Sequence, residues 1–164
     1  MAPMKSERAR DDDVAPPIAR TAPPTLLYLM KQVELSVRAA LDDLARPEGL
    51  TALQYTALTV LERHPDLTAA HLARLSFVTA QSTADMVGTL LDRDLIERHR
   101  DPRDRRRLVI ALTPEGGRVL DRMRPQVTAL EERMLARAST AQSAALRQTL
   151  ELCRRALHED PSAD

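Results

Sequence analysis

Hydrophobic positions along the chain fall into short periodic blocks separated by proline, glycine and threonine. From Thr25 onward, Leu26, Met30, Val33, Val37, Leu41 and Leu44 recur at steps of three and four, which marks one face of a helix ended before Pro47 and Gly49. Thr51 is placed to cap a second helix carrying Leu53, Ala57, Leu58 and Leu61, which stops at Pro65. Thr68 caps a short helix from Ala69 to Leu75. Thr79 caps another, Ala80 to about Arg93, with Ala84, Val87, Leu90 and Leu91 expected to face inward. A short helix, a tight connection and a longer helix in succession outline a helix-turn-helix.

Beyond Arg93 the period changes from helix to strand. Leu95-Ile96 leads into Glu97-Arg98-His99-Arg100, then a turn at Asp101-Pro102, then Arg107-Leu108-Val109-Ile110-Ala111-Leu112, a β-hairpin pattern. Thr113-Pro114-Glu115 reads as an N-cap, a proline in the first turn and an acidic start to a long helix. That helix carries Leu120, Met123, Val127, Leu130 and Met134, and Pro125 within it is expected to bend it. A last helix, about Ala141 to His158, carries Leu146, Leu150, Cys153 and Leu157 at steps of four, three and four.

The order predicts a mainly α fold of six helices with one small β-hairpin, a winged helix-turn-helix. Residues 48–113 form the winged unit. The amphipathic ends, 25–47 and 114–160, have too little of their own to pack against, so their heptad-like seams are expected to meet a second copy in a homodimer. Residues 1–24, mixing Ala, Pro, Arg and Asp without periodicity, read as a flexible tail.

Composition removes several functions. Aromatic residues make up 2% of the chain, too few for base-stacking platforms. Four glycines cannot build a phosphate-cradling loop. Four scattered histidines and one cysteine match no metal motif, and no nucleophile–base order stands out. No enzyme, metal or cofactor is therefore expected. The lone Cys153 on a helix seam reads as a packing residue. No apolar run approaches a membrane span and the N-terminus lacks a signal-peptide pattern, so a cytoplasmic location is expected.

Net charge is zero, so any affinity for nucleic acid must be local. It is concentrated in the hairpin: Arg98, Arg100, Arg103, Arg105, Arg106 and Arg107 face only Asp101 and Asp104, a local excess of four positive charges. Arginine suits phosphate and the narrow minor groove because its guanidinium stays charged and forked. Asp104 is expected to hold a neighbouring guanidinium by a paired hydrogen bond. On the outer face of the preceding helix, Thr79, Gln81, Ser82 and Thr83 offer hydroxyls and an amide to base edges or phosphates.

The run from Asp101-Pro102-Arg103-Asp104-Arg105-Arg106 to Leu112-Thr113-Pro114-Glu115-Gly116 resembles the wing signature of MarR-type regulators, and Leu90 to Arg98 resembles the segment that leads into it. The resemblance extends over about Leu26 to His158. It implies a dimer built from the first helix and the last two, with Arg106 in the minor groove. It also implies a regulator, commonly a repressor, bound to an inverted repeat of double-stranded DNA and released by a small aromatic or phenolic ligand. Two departures stand out: the recognition helix has no Lys or Arg between Thr79 and Asp92, with Asp85 among its outward residues, and Asp94 replaces a usual glycine. The acidic helix keeps an alternative open, a winged-helix module that binds a protein and not DNA.

Overall fold

The computed structural model describes residues 23–76 and 79–158. Residues 1–22 of the tail, and residues 159 and 160 at the end of the expected dimerisation region, lie outside them. Six α-helices and one hairpin follow in the order α1 (Leu26–Ala45), α2 (Ala52–Arg63), α3 (Ala69–Ser76), α4 (Ala80–Asp92), β1 (Ile96–Arg100), β2 (Leu108–Leu112), α5 (Pro114–Leu135) and α6 (Thr140–His158), with a 3₁₀ turn (Arg46–Glu48) after α1. Among the described residues no helix is long and apolar enough to cross a membrane.

Side-chain caps start these helices where threonine stands. Thr25 Oγ1 accepts from the Tyr28 N–H, and Thr79 Oγ1 from the Ser82 N–H. Thr51 and Gln54 complete a reciprocal capping box. Each hydroxyl satisfies a helix-start N–H that has no partner within its own helix.

The core lies between α2, α3, α4, the hairpin root and the first half of α5. Leu58, Leu61, Leu72, Val87, Leu90, Ile96, Ile110, Val119, Leu120 and Met123 are buried together there. The strands pair antiparallel with Ile96 opposite Leu112 and Arg100 opposite Leu108. Leu67, just before α3, exchanges backbone hydrogen bonds with Ile110 at 3.2 and 2.8 Å, so the root of the hairpin is fixed to the helical body. His99 Nε2, 2.8 Å from Asp66 Oδ1, adds a second tie.

The link from α4 to β1 turns on Asp94, whose φ is 55°. Aspartate is among the few non-glycine residues that enter the left-handed region readily, so the turn survives the loss of glycine. The Asp94 carbonyl accepts from Thr113 Oγ1 at 2.6 Å, and the Leu95 carbonyl from the Thr113 N–H at 3.1 Å. The start of α5 is thereby bonded to the end of α4.

Outside this body the chain is bare. Leu26, Leu27, Met30 and Val33 of α1, Met134 of α5, and Leu146, Leu150 and Leu157 of α6 are all exposed. Cys153 is exposed as well, so within a single chain it is not the packing residue its seam position suggested. Arg147 reaches Glu131 at 3.0 Å, an ion pair that ties α6 to α5.

Candidate nucleic-acid interface

The first half of the interface is the N-terminal end of α4. Gln81, Ser82, Ala84 and Asp85 are exposed, whereas Thr83 is 2% exposed. The expected orientation of this helix is thus corrected by one position: Thr83, Met86, Val87 and Leu90 face the core, and Ala84 faces out. Thr83 can be buried because its methyl packs as an apolar group and its hydroxyl donates to the Thr79 carbonyl at 2.9 Å, leaving no polar atom unpaired. It is therefore removed from the groove-facing set. Thr79 and Ser82 share a hydroxyl–hydroxyl bond of 3.0 Å at the helix start, and Gln81 between them is exposed.

The hairpin tip is the second half. Arg100, Arg103, Arg105, Arg106 and Arg107 are exposed, as are Arg98 and Asp104. Asp104 does not clamp a guanidinium: its Oδ1 accepts from the Arg106 backbone N–H at 3.0 Å. Its carbonyl accepts from the Arg107 N–H at 2.9 Å. Asp101 acts likewise on the Arg103 N–H at 2.8 Å. A short aspartate reaches the backbone two residues on more easily than a flexible guanidinium, which is the Asx-turn preference. Both carboxylates are spent on shaping the loop, and Asp101 N–H to Arg107 carbonyl, 3.0 Å, closes it. The six arginines pair with no carboxylate among the described residues. Arg100 only touches the Arg106 carbonyl at 3.4 Å, so their charge is directed to solvent.

A polar-capped helix start and an exposed cationic hairpin in one unit can meet a groove and the flanking phosphates of one duplex. Comparison with known proteins agrees. A profile of the MarR family matches residues 48–107. The chain is 31% identical over 124 residues to the HTH-type transcriptional repressor Rv2887 of Mycobacterium tuberculosis, covering 76% of this chain and 89% of that protein. The chain belongs to the MarR family. It is a sequence-specific DNA-binding transcriptional regulator of the winged helix-turn-helix type.

Solved structures share the fold. The Staphylococcus aureus MepR–DNA complex matches with a TM-score of 0.69 at 21% identity, covering 81% of this chain and 96% of that one. CouR from Rhodococcus jostii RHA1, bound to p-coumaroyl-CoA, matches with a TM-score of 0.69 at 26% identity, covering 76% and 87%.

This MarR-family regulator also contains a cleft that sequence reading did not locate residue by residue. Glu34, Val37, Arg38 and Leu41 of α1, Ala52, Leu53 and Thr56 of α2, and Ser76 at the end of α3 line it. Ser76 is 5% exposed and its Oγ has no hydrogen-bond partner among the described residues. A buried hydroxyl left unpaired is costly, so an unpaired one at a cleft wall is informative. Only the three-dimensional meeting of α1, α2 and α3 reveals it.

Proposed function

We propose that this regulator acts as a homodimer on an inverted repeat, as a repressor whose grip on DNA is released by a small aromatic or phenolic ligand. The exposed apolar rows on α1, the end of α5 and α6 support the dimer, because such contiguous surfaces are rarely left in water. The observation that carries the DNA reading is the hairpin tip, whose exposed arginines pair with no carboxylate among the described residues. Pairing two such units would place Gln81, Ser82 and Ala84 in successive major grooves, where the Ala84 methyl suits a thymine methyl, and Arg103, Arg105 and Arg106 along the flanking backbone or minor groove. Thr79 would hold the helix start and meet phosphate. Selection from a random duplex pool is expected to recover an inverted repeat with half-site centres about one helical turn apart. Recovery of unrelated or single half-site sequences would count against the dimer.

Repression is the activity in the name of the Mycobacterium tuberculosis relative. The ligand reading rests on the Ser76 cleft, whose wall also carries Arg38 and Glu34 3.9 Å apart, a mixed polar and apolar lining that suits a small ring bearing a hydroxyl. A panel of hydroxybenzoates, added to the protein–duplex complex, is expected to release DNA from the wild type. Ser76→Ala is expected to raise the concentration needed by roughly tenfold, the scale of one buried hydrogen bond. Equal release from both proteins would remove Ser76 from the ligand site.

A further inference from the structure

Arg93 closes α4 as its C-cap residue. Its guanidinium donates to the Gly49 carbonyl at 2.6 Å and the Glu48 carbonyl at 2.7 Å, groups more than forty residues away in the chain. Those carbonyls belong to a fixed turn. Gly49 has φ 66°, its N–H is bonded to the Arg46 carbonyl, and the Leu50 N–H is bonded to the carbonyl of buried Ala45, the last residue of α1. The Glu48 carboxylate in turn takes Arg122 of α5 through contacts of 2.9, 3.2 and 3.3 Å. Arg122 lies 3.6 Å from Glu115 in the first turn of α5. Its hydrogen bond to Glu48 is the main reason the Glu48 carboxyl titrates below the usual carboxylate range.

One side chain therefore joins the end of the recognition helix to the end of α1 and, through Glu48, to Arg122 in the first half of α5. Two carbonyls of adjacent residues are matched by two donors of a planar fork, which a lysine cannot reproduce. The hydrogen bonds from Thr113 to the Asp94 and Leu95 carbonyls lie at the same end, while Thr83, Met86 and Val87 are held along the helix by apolar packing alone. All of this bonding is at the C-terminal end of α4, and Gln81 is at the other. A helix of 13 residues is about 20 Å long, so a swing of about 6° at Arg93 moves its tip by about 2 Å. That displacement is comparable to the 3.4 Å spacing of successive bases along a strand.

We propose that Arg93 is a positioning residue: by clamping the α4 end to the α1–α2 turn it sets the angle of the recognition helix against the helices of the dimer seam, and so the half-site spacing that the regulator accepts. This rests on the paired-module reading above. Arg93 itself lies at the opposite end of α4 from Gln81, with its guanidinium committed to the Gly49 and Glu48 carbonyls.

The test measures affinity for the duplex recovered by the wild type and for derivatives with one or two base pairs inserted between the half-sites. Wild type is expected to bind the original spacing at least tenfold better. Arg93→Ala is expected to lose about tenfold on the original duplex and less than twofold on the derivatives, flattening the preference, with Arg93→Lys between them; two charge-assisted bonds set that scale. Glu48→Gln, which keeps the carbonyls and loosens the tie to α5, gives the same flattening in smaller measure and serves if Arg93→Ala unfolds. A uniform loss on every spacing, or unchanged discrimination in all three variants, overturns the proposal while leaving the dimer reading intact. A wild type indifferent to spacing overturns both.

Discussion

Gly116→Ala is expected to lower the thermal unfolding midpoint by about 6–12 °C, the equivalent of about 3 kcal/mol in a chain of this size. Gly116 lies in the first turn of α5, where the helix passes against the link between α4 and β1. A Cβ there would collide with the Leu95 carbonyl oxygen and sit 2.6 Å from Leu112 Cδ1. Leu112 can turn aside, but Leu95 cannot. Its carbonyl holds the Thr113 N–H at 3.1 Å, its own N–H holds the Leu90 carbonyl at 3.0 Å, and its side chain is buried in the core. The added methyl must therefore push α5 off the winged body or break the Thr113 tie. Gly117→Ala is the matched control, since nothing lies within 4 Å of a Cβ at that position. There alanine replaces glycine inside a helix, and stability should rise by up to about 1 kcal/mol. Differential scanning calorimetry of both variants checks the pair. An unchanged midpoint for Gly116→Ala would mean that α5 stands farther from the link than described.

Replacing Arg103, Arg105 and Arg106 together by alanine is expected to weaken DNA binding by about 10²–10³-fold at moderate salt while leaving the unfolding midpoint unchanged. All three are exposed and unpaired, so their removal costs the fold little. The backbone that presents them is held by Asp101 and Asp104, which the substitutions do not touch. If each arginine neutralises one phosphate, two wings supply about six contacts, and their loss should reduce the salt slope by about five. The corresponding lysine triple keeps the charge and most of the slope but gives up the forked geometry, so it should recover only part of the affinity. Fluorescence anisotropy on the selected duplex reads all three proteins. Equal affinity for wild type and the alanine triple would move the DNA grip elsewhere on the molecule.

Much of this architecture could be read from the chain because its signals are local. Thr51, Thr79 and Thr113 stand where capping hydroxyls are needed, and Pro114 stands where a missing N–H is harmless. The arginine cluster between strand patterns was equally plain. What escaped depends on contacts between distant elements. Ala84 suggests an inward position on α4, but Thr83 and Met86 are buried there and Ala84 is exposed, because a threonine that bonds its own helix backbone packs like an apolar residue; Leu91 does pack against the core. Asp104 was expected to grip a guanidinium and instead shapes the backbone of the loop. The unpaired Ser76 hydroxyl and the Arg93 clamp are invisible in any window of sequence, since their neighbours come from α1, α2 and the 3₁₀ turn.

The recognition helix offers no basic side chain between Ala80 and Asp92, so the electrostatic hold on DNA falls to the hairpins. The slope of log affinity against log salt, measured for the wild-type protein on its selected duplex, tests this most directly. A steep negative slope, about −5 or beyond, that becomes shallower by about five in the alanine triple is the predicted result. A shallow slope in the wild type, or one that the triple leaves untouched, would contradict it.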